Sequence, residues 1–414
     1  MKIAFFSDTH LGFEGKDREN ESFENCKQCF ELALQNNAEA IVLGGDIFDV
    51  KYPSYGVFVK AMQVFSIAKK AKSSVQGFAA TRAGAKELSY NGIPVIAIHG
   101  NHEYLGKGNM GILDIFDQSG HLCYLHAASL TLQKGNEKVC LHLLGNVPEK
   151  KAKDAFKLWN PKPIHGYRNI LVLHQNFKEY SAIDDEMVAS LSFEDIPAGF
   201  DLTVNGHLHW RDEQQLGSAK FILLGSTICT QMKPIEAGQK KGLYIYDSEK
   251  NQIKFVPLEV QRNFYYHKLK FENAKFDNIL EAIESAINSG LSKENLLVPM
   301  IRIRLLGTLA IGMNPADLGL AGLAEKYGGR AILNISKDFA SVSFKKKISE
   351  LRELHKSKQS ISSLGMKIFE KNLEETDFGN AFDYEKLFEL LSADELDKAL
   401  EMLSKDEKIK GHTS

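Results

Sequence analysis

The sequence has few cysteines, no long apolar run and almost no net charge, and the first two shortages each exclude a class of protein. Five cysteines scattered over 414 residues cannot form a disulfide scaffold and fit a reducing cytoplasm. No stretch approaches the roughly 20 apolar residues of a membrane-spanning helix, so we expect no membrane partner. The formal charge of −2 leaves nucleic acid open as a partner, because a locally basic groove disappears in a near-neutral sum.

What is present is the composition of an ordinary globular protein. Hydrophobic residues make up 43% and charged residues 25% of the chain, which is enough to bury a sizeable core. The length predicts about two or three domains. The first residues, Met1-Lys2-Ile3, enter an apolar run at once without the features of a secretory signal. We therefore expect a cytoplasmic protein.

One pair of cysteines has the spacing of a metal or redox motif. Cys26 and Cys29 lie inside a helical pattern that also contains Phe23 and Phe30, and no second pair accompanies them. A lone Cys-x-x-Cys within a helix is a weak signal for zinc or redox chemistry. We interpret the pair as half-buried helix surface.

Short apolar runs alternate with helical patterns over the first 250 residues. Residues 3–6 and 40–43 predict two strands, separated by a helix that ends near Asn36. Strand, helix, strand is the unit from which parallel sheets are built. Residues 94–98, 169–173 and 202–204 predict further buried strands, and polar/apolar alternation from 121 to 145 predicts antiparallel strands. The fold class is therefore α/β.

The pattern restarts after about residue 262 and changes again beyond 339. Strand, helix, strand, helix and strand follow one another up to 335, which is the size of a small α+β module. The remainder reads as amphipathic helices rich in both charges. We predict three domains, comprising residues 1–262, 263–339 and 340–414.

Polar side chains follow five of the predicted strands, each where the strand ends. In open α/β sheets, ligands bind just beyond the carboxyl ends of the strands. We therefore expect these side chains to converge on one edge. In chain order they are Asp8, His10, Asp46, Asn101, His102, His174, His207 and His209.

These side chains are the ligand types of a transition-metal centre. Carboxylates, imidazoles and one amide oxygen suit Mn²⁺, Fe²⁺ or Zn²⁺ better than Ca²⁺, and the lack of thiolate argues against structural zinc. The potential ligands are too many for one ion and fit two ions completed by water. Two ions bridged by a carboxylate can clamp a phosphoryl group and activate water. Asp46, in the tightest turn, is the natural bridge.

The motifs resemble those of the metallophosphoesterase (calcineurin-like) superfamily, in the family's order and spacing over about residues 1–250. The matching segments are Asp8-x-His10, Gly45-Asp46, Gly100-Asn101-His102-Glu103, His174 and Gly206-His207-x-His209. Within the superfamily, the chain resembles the nuclease subunit of the double-strand-break repair complex, the meiotic-recombination-eleven and SbcD exonuclease group. The details that carry this are His10-Leu11-Gly12 with Asp17-Arg18-Glu19, Gly45-Asp46-Ile47-Phe48, and Gly206-His207-Leu208-His209 leading to Gly225-Ser226-Thr227. Its moderate length resembles that of archaeal members.

The resemblance implies a sandwich of two mixed β-sheets flanked by helices, a small DNA-capping domain and C-terminal helices. It also implies two Mn²⁺ ions. One would be held by Asp8, His10, Asp46 and His209, and the other by Asp46, Asn101, His174 and His207. The family counterpart of His102 acts on the leaving group. The chain departs from the residues common in the family at Glu103, Tyr104 and Asp49. These differences concern which DNA end is preferred and do not affect the metal ligands.

The implied function is a Mn²⁺-dependent DNA nuclease, with 3′-to-5′ exonuclease and single-strand endonuclease activity, that processes DNA ends in double-strand-break repair. The implied partners are an ABC-type coiled-coil ATPase, docked on helices in residues 341–374, and a second copy of the chain. Phe58, Met62, Phe65, Leu113 and Phe116 are either ordinary core or part of that homodimer interface. Two other functions remain open: a phosphatase or small-substrate phosphodiesterase of the same fold, and a non-catalytic scaffold.

Overall fold

The computed structural model describes residues 1–15, 17–81, 84–106, 108–180, 190–339, 384–392, 395, 396, 398, 400 and 402. These residues divide into two compact units. The first contains residues 1–268, 281–304 and 319–336, and the second contains residues 269–280, 305–318 and the described residues from 337 onward. The sequence-predicted domain boundaries at 262 and 339 remain predictions.

A six-stranded mixed sheet contains the first strand of the chain. Its order is β14-β13-β1-β2-β5-β6, and its strands in chain order are β1 (Lys2–Phe6), β2 (Ala40–Leu43), β5 (Val95–Ala97), β6 (Cys123–Tyr124), β13 (Gly242–Asp247) and β14 (Gln252–Pro257). The strands β1, β2, β5 and β6 are parallel neighbours. They therefore end at the same edge.

A second mixed sheet has eight strands. Its order is β11-β12-β10-β9-β8-β7-β3-β4, and its strands in chain order are β3 (Gln76–Thr81), β4 (Gly84–Glu87), β7 (Ala128–Lys134), β8 (Glu137–Leu144), β9 (Arg168–Leu173), β10 (Leu202–Asn205), β11 (Asp212–Leu216) and β12 (Ala219–Leu223). The central strands β8, β9, β10 and β12 are parallel. Both flanks of the sheet are antiparallel hairpins.

The two sheets pack face to face because successive side chains of a strand point to opposite faces. From β1, Ile3 and Phe5 join a core with residues of the eight-stranded sheet such as Leu141 and Val172. The alternate residues of β1 pack against helices of the first sheet's outer face, which are α1 (Glu21–Gln35), α2 (Tyr55–Phe65) and α3 (Ile112–Gln118). The outer face of the second sheet is covered by α4 (Glu149–Trp159). The predicted sandwich of two mixed sheets flanked by helices is confirmed.

The cysteine pair lies in this core, so our prediction of half-buried helix surface is wrong. Cys26 and Cys29 are completely buried on the face of α1 that packs against the first sheet, where Phe30 meets Phe6 edge to face at 5.5 Å. Burial raises the pKa of the Cys29 thiol well above its usual value. Both side chains serve as small core residues.

The remaining elements follow the strand–helix order expected for the later residues. They are β15 (Phe264–Ala274), α5 (Phe276–Leu291), β16 (Met300–Leu309), α6 (Ala321–Lys326), β17 (Ile332–Phe339) and α7 (Tyr384–Ser392). Strands β15, β16 and β17 form a three-stranded sheet in that order. Short 3-10 helices occur at Ser66–Lys70, Lys178–Tyr180, Phe193–Asp195, Pro234–Glu236 and Pro315–Asp317.

Two expectations about helices concern residues that are not described or are described only in part. The amphipathic helices predicted within 341–374 lie outside the described residues, as does most of the remaining helical region predicted beyond residue 339. Within the described residues, no helix combines the length and apolarity needed to cross a membrane.

Candidate metal centre

The residues predicted to bind metal lie beyond the carboxyl ends of five neighbouring strands. In the first sheet, Asp8 follows β1, Asp46 follows β2, and Asn101 follows β5. In the second sheet, His174 follows β9, and His207 follows β10. Because these strands are parallel and the sheets face each other, all five segments meet at one edge of the sandwich.

Sharp turns carry several of these side chains. Asp8, His10, Asp46 and His207 have φ values of 53°, 44°, 47° and 78°. This left-handed region costs a non-glycine residue about 1–3 kcal/mol. Backbone hydrogen bonds from Asp8 to Gly45 at 2.9 Å and from His10 to Asp46 at 3.1 Å tie the first two turns together. The strain is thus held in place by neighbouring segments, as is common at functional sites.

Asp8, His10 and His209 form the first group of candidate ligands. Their donor atoms lie within 4.8 Å of one another, and all three residues are buried. The Nε2 atoms of His10 and His209 are 3.2 Å apart. The His209 Nε2 is 3.8 Å from Asp8 Oδ1.

Asp46, His174 and His207 form the second group, which also includes Asn101. The three residues again place donor atoms within 4.8 Å of one another. His174 Nε2 is 3.3 Å from Asp46 Oδ2, and His207 Nδ1 is 3.0 Å from Asn101 Oδ1. The first group contains three of the four residues that the resemblance implies for one ion, and the second group contains the four that it implies for the other; metal binding by these residues remains a prediction.

The ring nitrogens of the first group fit a cation. The Nδ1 of His10 lies 3.0 Å from the Asp49 carboxylate, and the Nδ1 of His209 lies 2.9 Å from the Thr230 hydroxyl. With each Nδ1 donating to its partner, both Nε2 atoms present lone pairs to each other. Two facing lone pairs at this distance repel unless a cation lies between them.

The second group has a similar unmatched nitrogen. The Nδ1 of His174 donates to the Gly44 carbonyl at 2.7 Å. Its Nε2 is buried and has no hydrogen-bond partner among the described residues. Metal-bound histidines commonly use their second ring nitrogen to donate to a carbonyl or carboxylate in this way. Both groups therefore fit divalent metal ions.

Burial and mutual charge shift the pKa values of the buried site residues. Burial raises the pKa of Asp8 to about 6, although His174 opposes the change. Burial would also raise the pKa of Asp46, but the charge of His174, whose Nε2 lies 3.3 Å from Asp46 Oδ2, outweighs it and holds the value well below its usual range. Conversely, burial would lower the pKa of His174, but Asp46 raises it to about 9. A buried carboxylate here thus depends on a nearby positive charge.

Two other histidines stay neutral. Burial lowers the pKa of His207 to about 4. Burial, assisted by the charge of His10, lowers the pKa of His209 well below its usual value. Neutral imidazole is the form that binds a metal.

His102 lies at the exposed side of the metal centre. Its backbone N–H donates to Asp46 Oδ1 at 2.9 Å, and its Nδ1 contacts the Asp49 carbonyl. Its ring meets that of His10 edge to face at 4.9 Å. These contacts fix the ring beside the candidate ligands without using its Nε2.

Several residues hold the ligands in place, and the sequence did not indicate this supporting role for them. Asp49 and Thr230 orient His10 and His209 through their Nδ1 atoms. The buried Glu103 carboxylate accepts hydrogen bonds at 2.7 Å from the backbone of Phe48 and from Gly100. Glu103 belongs to one recognised motif and Asp49 directly follows another, whereas nothing in the sequence singles out Thr230.

Close backbone approach also shapes the centre. At Gly45, which has a φ of +94°, a Cβ atom would come within 2.4 Å of His174 Nδ1. At Gly100 a Cβ atom would come within 2.1 Å of Asp46 Oδ1. The glycines of two motifs are therefore required by the packing of the ligands themselves.

Comparisons with known proteins agree with this geometry. Residues 1–211 match the family model of the calcineurin-like phosphoesterases. The chain is 23% identical to "Double-strand break repair protein MRE11" of Arabidopsis thaliana over 470 aligned positions, which cover 99% of this chain and 62% of that protein. It is 27% identical to the Homo sapiens protein of the same name over 316 positions, covering 66% of this chain and 43% of the human protein. The chain thus spans less than two thirds of the length of these relatives.

Proposed function

This chain belongs to the calcineurin-like phosphoesterase family, and from that premise we propose that it is a metal-dependent DNA nuclease. The observation that carries the proposal is the pairing of two ligand groups at one edge of the sandwich. The similarity to MRE11 proteins along 99% of the chain supports DNA as the substrate. The proposed activities are 3′-to-5′ exonuclease and single-strand endonuclease, acting at DNA ends in double-strand-break repair.

The proposed cofactors are two Mn²⁺ ions. Asp8, His10, Asp46 and His209 would hold one ion, and Asp46, Asn101, His174 and His207 would hold the other. Ions held there would supply charge neutralisation at the scissile phosphate and activation of the attacking water. Hard and borderline ligands with no thiolate suit Mn²⁺.

His102 is the proposed general acid. The contact of its Nδ1–H with the Asp49 carbonyl fixes the ring, so that the imidazolium form can give its Nε2 proton to the departing 3′ oxygen and become the neutral imidazole. The imidazole then regains a proton from solvent. Its backbone bond to Asp46 ties the position of the acid to that of the bridging carboxylate.

The proposed partners are an ABC-type coiled-coil ATPase and a second copy of the chain. Residues 341–374, proposed to bind the ATPase, lie outside the described residues. Phe65, Leu113 and Phe116 are buried in the chain's own core, with Phe58 and Met62 packed against them. A homodimer would therefore use neighbouring exposed residues of α2 and α3, such as Tyr55, Val59 and Ile115.

Degradation of labelled linear double-stranded DNA, with Mn²⁺ and with EDTA, tests the proposal. We expect Mn²⁺-dependent release of mononucleotides that is lost in Asp46→Ala and kept in Asp154→Ala, which removes an exposed carboxylate. His102→Asn should bind metal normally but cleave at least 100-fold more slowly, as is typical of a lost general acid. If the protein hydrolyses a small phosphodiester but not DNA, the proposed DNA substrate is wrong and the protein is a small-substrate phosphodiesterase. A protein with no affinity for Mn²⁺ would instead be a scaffold.

A further inference from the structure

A cavity of about 650 Å³ lies next to the metal centre. None of the proposed metal ligands lines it. Its walls come from the segments that follow β5, β6 and β8, and from one side of α4. Cavities of this size hold small organic molecules or single nucleotide units.

In both sheets, the cavity lies at the end of the strand that neighbours the strands carrying the metal ligands. In the first sheet, Asp8, Asp46 and Asn101 follow β1, β2 and β5, and the next strand, β6, ends at the cavity residue Tyr124. In the second sheet, His207 and His174 follow β10 and β9. The next parallel strand there, β8, leads to a cavity wall.

Neighbouring strands lie about 4.8 Å apart, so the cavity and the metal centre are separated by roughly one or two strand spacings. The separation is short enough for one nucleic-acid strand to reach both. His99 and Asn101 belong to a single turn, and His99 lines the cavity while Asn101 faces His207. The two sites therefore share a wall.

A rigid aromatic platform forms part of that wall. The rings of His99 and Tyr104 are stacked at 5.7 Å with 24° between their planes. The Tyr124 hydroxyl donates to His99 Nδ1 at 2.7 Å, and His99 Nε2 donates to the Asn146 carbonyl at 3.0 Å. Both ring nitrogens are thus satisfied within the protein. His99 is itself buried, with only 5% of its surface exposed, so it serves as a fixed support for Tyr104, which is partly buried and lines the cavity.

The described lining of the cavity is largely aromatic and apolar. Glu103 and Asp114 are its charged side chains, and no lysine or arginine of the described residues lines it. Trp159, Leu158 and Val147 add aromatic and apolar surface. Such a lining suits a neutral planar ring.

We propose that this cavity receives one nucleobase of the strand whose phosphodiester bond lies at the metal centre, stacked on the His99–Tyr104 platform. The inference rests on the proposed nuclease function and adds a base-binding subsite to it. The phosphate would go to the metal ions and the neutral base to the aromatic cavity. Stacking is tolerant of base identity, because every base has an aromatic face.

Filling the cavity tests the proposal without deleting a core contact. Ala155 lines the cavity from α4, and Lys157 lies exposed on the same helix outside it. Ala155→Trp would occupy the space of the base, and Lys157→Trp is the matched control. Melting temperature and bound Mn²⁺ per chain check that both variants fold. If Ala155→Trp fails to fold, Tyr104→Ala replaces it, since this residue is only partly buried.

The substrate is a single-stranded oligonucleotide in which an abasic nucleotide is placed at each position on both sides of the cleaved bond. For the wild-type protein, we expect removal of one base to lower kcat/KM about tenfold, the usual effect of losing one stacked base. Ala155→Trp should lower kcat/KM for the intact oligonucleotide by the same factor. Its kcat/KM should not fall further when the base at that position is removed. Lys157→Trp should behave as the wild type. Equal abasic effects in Ala155→Trp and wild type would overturn the proposal.

A second measurement separates failure of the inference from failure of the proposed function. The fluorescent nucleoside 2-aminopurine deoxyriboside carries no phosphate, so its binding does not depend on catalysis. We expect its fluorescence to be quenched by the Asp46→Ala protein but not by Asp46→Ala/Ala155→Trp. If the protein cleaves no DNA but still binds the nucleoside in this pattern, the base site stands and the nuclease assignment falls. Equal quenching by both proteins removes the base site whatever the nuclease assay gives.

Discussion

At the scale of single residues, the metal centre depends on contacts that lie behind the ligands. Each ligand histidine needs one specified nitrogen free, and a hydrogen bond at the other nitrogen specifies it. Asp49 does this for His10 at 3.0 Å, and Thr230 does it for His209 at 2.9 Å. The ligand types could be predicted from the sequence, but their orienting partners could not.

Asp49→Ala tests this orienting role. Without the carboxylate, His10 can rotate or take its other tautomer, so we expect Mn²⁺ affinity to fall about 10- to 100-fold, the usual cost of losing such a partner. Isothermal titration with Mn²⁺ measures the change. Asp154→Ala, which removes an exposed aspartate from α4, should bind as the wild type. Unchanged affinity in Asp49→Ala would mean that packing alone orients the imidazole.

At the scale of elements, hydrogen bonds from a buried lysine just before β13 hold the turn that carries His209. Lys241 Nζ donates to the His209 carbonyl at 2.8 Å and to Ser226 Oγ at 2.9 Å. It also pairs with the buried Glu236 carboxylate at 2.8 Å. The lysine thereby holds together the segments that contain His209, Ser226 and Glu236.

We expect Lys241→Met to destabilise the protein by about 3–5 kcal/mol, because Glu236 then remains buried without a partner charge. The double variant Lys241→Met/Glu236→Gln should recover much of this loss, since it removes the uncompensated charge. Urea unfolding of the wild type, these two variants and Glu236→Gln gives the four free energies of unfolding of a double-mutant cycle. Additive losses would show that the ion pair is not coupled.

The start of α1 is tied to the segment after β14 by a second buried carboxylate. Glu21 accepts hydrogen bonds from Arg18 at 2.9 Å and from Arg262 at 2.7 Å. Burial alone would raise its pKa, but the two arginines lower it below the ordinary value of 4.5. A depressed pKa in the folded state adds stability above the unfolded-state value, and this stability is lost as the pH falls through the folded value.

Glu21→Gln should therefore be less stable than the wild type at pH 7. The difference between the two proteins should shrink as the pH falls below 4.5. Urea midpoints measured from pH 7 to pH 3 give the comparison. Glu24→Gln, an exposed change in the same turn, serves as control. A difference that is constant with pH would assign the loss to packing rather than charge.

How much of the fold could be predicted from sequence also depends on the element. Strands β1, β2 and β9 are local apolar runs that are buried on both faces, so composition and length identify them. The hairpin of β3 and β4 was not predicted, because Gln76–Thr81 and Gly84–Glu87 are mostly polar or small. They form strands by pairing, β3 with β7 and β4 with β3. The amphipathic helix α4 was also missed, although its residues Ala152 and Phe156 have the spacing of a buried face.

At the scale of the whole molecule, one side of α2 and α3 is available for a second copy of the chain. Phe58 and Phe116 pack together at 4.9 Å and face inward, whereas Val59 and Ile115 are about half exposed, at 53% and 50%. The apolar pattern of the sequence could not separate core positions from exposed ones on these helices. The exposed set is the part that a dimer could bury.

We expect Val59→Glu/Ile115→Glu to be monomeric if the proposed homodimer forms through this surface, because two charges would have to be desolvated. Light scattering after size exclusion gives the mass directly. Substituting Leu158, an exposed apolar residue of α4, with Glu should leave the dimer intact. A wild-type mass equal to one chain would contradict the homodimer itself.

The most direct test of the account is the number of Mn²⁺ ions bound per chain, with electron paramagnetic resonance to detect magnetic coupling. Asp46 Oδ2 lies 3.3 Å from His174, and in the proposal this carboxylate bridges two ions. We predict two Mn²⁺ per wild-type chain, magnetically coupled, and loss of the coupled pair in Asp46→Ala. A single uncoupled ion in the wild type, or a coupled pair that survives Asp46→Ala, would contradict the two-metal centre.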